Sequence, residues 1–186
     1  MPTNGDPSTS APPAVAQAAE HRGRVEREAA RSVACAVVTI SDTRTPETDE
    51  SGRLARERVA AAGHAIAHYA IVRDEPHEIR TVLAGLSATG AGVAILNGGT
   101  GIARRDSTFE AVDGLLDKRL PGFGELFRAL SFPEIGPAAM LSRATAGVSG
   151  DLLVFALPGS PHAVALALDR LILPDLAHLA WETTQR

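Results

Sequence analysis

A chain of 186 residues, 45% hydrophobic and 22% charged, has the length for one domain with a sizeable core and the ordinary composition of a globular protein. Its formal net charge of −4 lacks the basic excess that a non-specific nucleic-acid or membrane surface needs, yet leaves room for a local anion site of amides and a few cations. Aromatic residues are only 4%, so the core has to be assembled from Ala, Val, Leu and Ile.

Residues 1 to about 19, rich in Pro, Ser, Thr and Ala and without a period, read as a disordered tail. The opening MPTNGDPSTSAPP has no basic stretch followed by an apolar core, so it is not a secretion signal. No later run is long enough to cross a bilayer. The expected location is the cytoplasm, with no membrane or nucleic-acid partner. The charged EHRGRVEREAARS that follows has almost no apolar face, even as a short helix. The expected organisation is a tail over 1–32, an α/β domain over 33–181 and a short C-terminal tail over 182–186.

From Val33 the pattern alternates. Val33 to Ile40 is an apolar, β-branched run, as in a strand covered on both faces, and its single cysteine, Cys35, fits as a small buried hydrophobe. After the polar loop SDTRTPETDESG, a helix is predicted from about Gly52 to Ala62, stopping at Gly63. His64 to Val72 reads as a second strand. Pro76 opens a helix on which Ile79, Val82, Leu83 and Leu86 share one face. Val93 to Leu96 is a short buried strand running into Asn97-Gly98-Gly99-Thr100-Gly101. Ser107 and Glu110 have capping-box spacing ahead of a helical stripe of Phe109, Val112, Leu115 and Leu116. Phe123, Leu126, Phe127 and Leu130 repeat that spacing in the next helix. Leu152 to Leu157 is another buried strand, broken at Pro158-Gly159-Ser160-Pro161, where Ser160 is an N-cap and Pro161 the first helical residue. Val164, Leu168, Leu171 and Ile172 face inward until Pro174 interrupts that helix. Alternating strands and helices predict a three-layer α/β sandwich, a mostly parallel sheet flanked by helices. In such sheets ligands bind beyond the carboxyl ends of the strands, which selects the loops after Ile40, Leu96 and Leu157.

The loop after Leu96 carries the strongest chemistry. Three glycines in four residues let the backbone turn tightly with several N–H groups outward, and Thr100 adds a hydroxyl, an arrangement that suits phosphate. It is neither a Rossmann fingerprint, which needs glycine where Arg104 stands, nor a Walker A loop, which needs Gly-Lys-Ser/Thr. Arg104, Arg105 and Asp106 follow it. Asp106 is either a helix cap or an ionised magnesium ligand, and Asp74, just ahead of Pro76, is open to the same two readings. Ser142 beside Arg143 suits a polar ring or a phosphate. The six histidines are too scattered for zinc, and neither Ser149 nor Ser160 has the neighbours of a hydrolase nucleophile.

These motifs, in this order, resemble the MoaB/MogA family of molybdenum cofactor biosynthesis proteins, nearest its MoaB branch. NGGTGIARRDSTFEAV resembles the signature TGGTG…RD-x-T-x-E-A. PGFGELFRALSFPEIGPAAMLSRATAGVSG and FALPGSPHAV resemble the later PGFGE, SF-x-EIG, LSR and PGS segments, and SDTRTPETDESG and IVRDE also fit. The match runs from about Val33 to Leu179. The resemblance implies the MogA-like fold, a trimer or hexamer, other enzymes of the pathway as partners, and a molybdopterin pocket. It also implies transfer of an adenylyl group from ATP, with Mg2+, to the terminal phosphate of molybdopterin. Catalysis and metal binding then fall to Asp74 and Asp106. Substrate and phosphate contacts fall to Asp42, Thr43, Gly98, Gly99, Thr100, Gly101, Arg105, Ser142, Pro158, Gly159 and Ser160. The chain departs from the pattern at Asn97, where threonine is common, and at Phe109, where proline or isoleucine is. Two other readings share the motifs: a molybdopterin binder without catalysis, and a CinA-type nucleotide-pyrophosphate hydrolase. The PGFGE and LSR segments favour the MoaB assignment over the hydrolase, and the two aspartates favour the enzyme over the binder.

Overall fold

The computed structural model describes residues 31–184; the expectations for residues 1–30 lie outside them. Six strands form one sheet in the order β2-β1-β3-β6-β5-β4. β1 (Ala34–Ile40), β2 (Ala65–Val72), β3 (Val93–Asn97) and β6 (Leu152–Leu157) run parallel. β5 (Thr145–Ser149) is antiparallel to β6, and the two-residue β4 (Lys118–Arg119) is antiparallel to β5.

Alternation along the buried strands divides the core in two, because successive side chains leave opposite faces of a sheet. Cys35 and Val37 of β1, Val93 and Ile95 of β3, and Leu153, Phe155 and Leu157 of β6 enter one core. That core is covered by α1 (Glu50–Ala61), α4 (Pro121–Ile135), α5 (Pro161–Ala167) and the helical stretch ending in α6 (Leu176–Thr183). Ala36, Val38, Ile40, Ala94, Leu96, Leu152, Val154 and Ala156 enter the other, covered by α2 (Pro76–Leu86) and α3 (Thr108–Asp113). The three-layer sandwich is therefore present, with every residue of β3 and β6 buried. Scarce aromatics are concentrated on one face, where Phe123 meets Phe155 edge-on with centroids 5.2 Å apart.

Four differences from the sequence reading have physical causes. β4 and β5 were not expected: Gly147 lies at the crossing, where a Cβ would strike the Lys118 backbone, so neither alternation nor β-branching marks the pair. Of the spaced residues on α4, Phe123 and Phe127 are buried in the first core and Leu130 packs against it, whereas Leu126 at 56% exposure turns to a second, outward apolar face. The capping box at Ser107 and Glu110 does not form, because Ser107 has no side-chain cap bond and its hydroxyl is used elsewhere. Pro174 does interrupt the last helix, but the break is wider than one residue: α5 stops at Ala167, and a π-turn at Leu168–Ile172 and a 3-10 turn at Leu173–Asp175 accommodate the missing N–H before α6 begins.

Cys35 is fully buried and desolvation pushes its thiol up to about 12, which leaves roughly one thiolate in 10⁴ at pH 8. A thiol reagent at that pH should therefore modify native protein only as fast as it unfolds. Rapid stoichiometric labelling without loss of structure would contradict this burial.

Candidate functional site

The register brings the loops together. Ile40 pairs with Val72, Thr39 with Asn97, and Asn97 with Leu157, so the four parallel strands end at one level. Hydrogen bonds then lash their loops to one another. The Gly98 N–H donates to the Leu157 carbonyl at 3.0 Å, and the Ser51 hydroxyl donates to the Gly159 carbonyl at 2.8 Å. The Asp74 N–H donates to Asp42 Oδ1 at 3.2 Å, and Arg105 Nη2 donates to Asp42 Oδ2 at 2.5 Å.

Asp74 follows β2 and does not cap α2, whose N-cap is Glu75. Its Oδ1 accepts instead from the N–H and hydroxyl of Ser107, at 3.1 and 2.9 Å, and from the Thr108 hydroxyl at 3.5 Å. It thus holds the start of α3 across the loop, a needed support for a helix of six residues. Asp106 does not cap α3 either: its Oδ2 accepts from the Ala103 N–H at 2.9 Å and closes its own turn. Each carboxylate backs onto a glycine. A Cβ on Gly99, which has φ +62°, would collide with Asp74 Oδ2 and Thr108 Oγ1, and one on Gly101 would collide with Asp106 Oδ2. The glycines are there for the close approach of carboxylate and backbone as much as for the turn. Asp74 Oδ2 and Asp106 Oδ1 accept no hydrogen bond from the described residues.

The remaining site residues are placed as follows. Asp42 and Arg105 lie in the cluster, but paired with each other. Thr43 is exposed, and its N–H donates to the Ser41 hydroxyl at 3.2 Å. Thr100 is buried, and Gly98 takes φ +108° against the Ile40 carbonyl. Pro158 and Gly159 form the turn after β6; the Ser160 hydroxyl caps α5 by accepting from the Ala163 N–H at 3.1 Å. Ser142 ends the 3-10 turn at Gly136–Leu141, its hydroxyl unbonded among the described residues. Beside the glycine loop opens a cleft of about 450 Å³, lined by Arg80, Arg104, Asp106, Ser107, Glu110 and Arg143. A larger cavity, about 620 Å³, lies near the amino ends of β3 and β6 and is lined by Leu83, Val112, Leu115 and Leu152 among others; it faces away from these loops.

Sequence reasoning missed a buried polar chain beneath the loops. Asp49, 3% exposed, caps α1 by accepting from the Gly52 N–H at 2.9 Å. Its Oδ2 accepts from the Thr39 hydroxyl at 2.6 Å and the Tyr69 hydroxyl at 2.7 Å. Thr39 in turn accepts from Asn97 Nδ2 at 3.0 Å. The signal available was the acidic residue one position ahead of the helix; nothing local pointed to its partners on β1, β2 and β3.

A family model described as a probable molybdopterin binding domain matches residues 36–178. The chain belongs to this family. It is 54% identical over 159 residues to Molybdenum cofactor biosynthesis protein B of Bacillus subtilis (strain 168), covering 84% of this chain and 94% of that one. Among solved structures, a Molybdenum cofactor biosynthesis protein B is 51% identical with a TM-score of 0.81, covering 84% of this chain and 98% of that one. A tungsten cofactor synthesizing protein MoaB from Pyrococcus furiosus is 37% identical with a TM-score of 0.76, covering 83% and 99%. The two solved structures share the three-layer fold. No helix among the described residues is long and apolar enough to cross a membrane.

Tyr69 is the only tyrosine in the chain, and burial followed by its bond to Asp49 pushes the phenol up to about 12. A raised folded-state value means that Tyr69 supports the fold fully below about pH 10, its ordinary value, and loses that contribution as pH climbs towards 12. Absorbance titration of native protein should show tyrosinate only near the upper value, and Tyr69→Phe should flatten the alkaline fall in stability. A native midpoint at about 10 would remove the phenol from the network.

Proposed function

We propose that the chain binds molybdopterin and adenylylates its terminal phosphate with ATP and Mg2+, as a step of molybdenum cofactor biosynthesis. The observation that carries this reading is the pair Asp74 and Asp106, each set against a glycine of one loop and each keeping a carboxylate oxygen that the described residues leave unbonded. The names of the relatives support the pathway, and the loop supports the chemistry. A phosphate oxygen of molybdopterin attacks the α-phosphorus of ATP; that P–O bond forms as the bond to the β-phosphate oxygen breaks, and pyrophosphate leaves. Such transfer needs positioning and charge neutralisation more than a protein nucleophile. Gly98, Gly99, Thr100 and Gly101 cradle phosphate, Ser142 holds the pterin, and Pro158, Gly159 and Ser160 shape the facing wall.

The donor set fits magnesium of a particular kind. Among the described residues no three His, Cys, Asp or Glu side chains are grouped to hold a metal. Nucleotide-borne Mg2+ uses only one or two carboxylates, with phosphate oxygens and water completing its octahedron. Asp74 and Asp106 would hold such an ion, which supplies charge neutralisation at the triphosphate. The Arg105–Asp42 pair is exposed and worth about 0–1 kcal/mol, so an incoming phosphate exchanges for Asp42 at little cost.

Asp74→Asn and Asp106→Asn should each lower adenylylation by roughly 10²-fold or more while leaving molybdopterin bound. The structural contacts survive both changes, since the amide oxygen still accepts from Ser107 or Ala103. Ser142→Ala should do the reverse and weaken pterin binding first. Pyrophosphate release with molybdopterin, ATP and Mg2+ is the measurement; full activity in both Asp→Asn variants, correctly folded, would leave the aspartates structural.

A trimer or hexamer is part of the same proposal. Leu126, Phe132, Ile135, Met140 and Leu141, all on α4 or the turn after it, are 46–76% exposed, a larger apolar display than a monomer needs. Light scattering should report a multiple of three subunits, and Phe132→Lys with Met140→Lys should yield monomers. A monomeric parent chain at micromolar concentration would remove this part.

A further inference from the structure

Arg143 follows the proposed pterin serine and looks at first like a phosphate ligand. Its guanidinium is already occupied. Nε donates to the Thr100 carbonyl at 3.1 Å, Nη2 donates to the Gly101 carbonyl at 2.5 Å and to Glu110 Oε2 at 3.2 Å, and Nη1 donates to Glu110 Oε1. These use four of the five N–H donors that an arginine has. The group also lies over the Phe109 ring, 5.0 Å from its centroid. The partner that holds it from α3 is charged: the bond to Arg143 keeps the Glu110 carboxyl below its ordinary value.

The two carbonyls are consecutive, and that decides what the contact does. In a trans peptide the C=O and the following N–H point in opposite directions. Drawing the Thr100 and Gly101 carbonyls towards Arg143 therefore turns the N–H groups of Gly101 and Ile102 to the other side. Neither N–H donates to any acceptor among the described residues. Successive N–H groups aimed one way form an anion-binding concavity. Free to rotate, the same glycine-rich peptides would spread their N–H groups over many directions.

We propose that Arg143 is a positioning residue that sets the glycine loop for phosphate by holding its carbonyls, with Glu110 and Phe109 seating the guanidinium. This rests on the reading of the loop as a phosphate cradle. Phe109, which departs from the family pattern, acquires a role as the ring beneath the clamp. A lysine cannot replace Arg143, because a point charge lacks the fork that spans two carbonyls.

The test is binding of Mg-ATP and of inorganic pyrophosphate by calorimetry, with amide spectra of Gly101 and Ile102 and a melting temperature for each variant. In the parent chain both amides should shift on adding pyrophosphate. Arg143→Lys should bind both probes at least about tenfold more weakly, with the KM for ATP rising more than kcat falls, and the two amide shifts should shrink. Glu110→Gln should weaken binding severalfold, because a loosened guanidinium holds the carbonyls less firmly. Phe109→Ile should cost about two- to fivefold. A direct phosphate ligand would behave oppositely in Glu110→Gln, where the freed guanidinium would bind as tightly as before or more so. Tighter or unchanged binding in Glu110→Gln, or undiminished binding in Arg143→Lys, overturns the proposal; if the lysine variant does not fold, Glu110→Gln decides. A parent chain that binds neither probe overturns the phosphate-cradle reading, and this inference with it.

Discussion

Everything at the site depends on one constraint, the shared level at which four parallel strands end. Parallel pairing fixes Thr39, Asn97 and Leu157 side by side, and burial on both faces forbids a slip, because a shift of one residue would exchange the two cores. The loops leave the sheet together and must satisfy one another's backbone groups. That is why the Gly98 N–H meets the Leu157 carbonyl and Ser51 meets Gly159, contacts between segments more than fifty residues apart in the chain.

The same loops combine support and exposure in single side chains. Asp74 spends one oxygen on the start of α3 and keeps the other free, so the group that organises the loop's exit is also the one available to a cation. α3 has only six residues and gains little from its own helical bonds. Without an anchor from the end of β2 its first turn would fray, and the Gly98–Gly101 backbone would lose its fixed end, since the Thr108 N–H donates to the Gly99 carbonyl at 3.0 Å. Structural and chemical roles therefore do not divide cleanly between residues here.

Much of this was legible in the sequence, and the reasons are local. β1, β3 and β6 announce themselves as short apolar runs ending in polar or glycine-rich loops, and Pro76 and Pro161 mark helix starts where they stand in the structure. The ordered motifs carried the family. What stayed hidden was long-range partner choice. Ser107 has the spacing of a capping box, but a carboxylate thirty-three residues earlier takes its hydroxyl, and Arg143 from a distant turn takes Glu110. Asp42 and Arg105 were each read as facing the ligand, whereas opposite charges sixty-three residues apart meet each other first. Periodicity on α4 found the buried Phe123 and Phe127 but could not separate Leu126, which is exposed, because spacing shows that an apolar stripe exists without showing where its edge is covered.

The buried chain under the loops has a direction. Asn97 donates to Thr39, and Thr39 and Tyr69 both donate to Asp49, so every proton points at one carboxylate. An amide at that position would offer a donor where two hydroxyls already donate. To accept it, Thr39 would have to turn its own proton towards Asn97, and the Asn97 amide would have to flip to present its oxygen. The four positions cannot drift independently. In the divergence of such sequences they should change as a set or stay as they are, and a lineage that loses the acid must find a new polarity for the whole chain or a dry replacement for all of it.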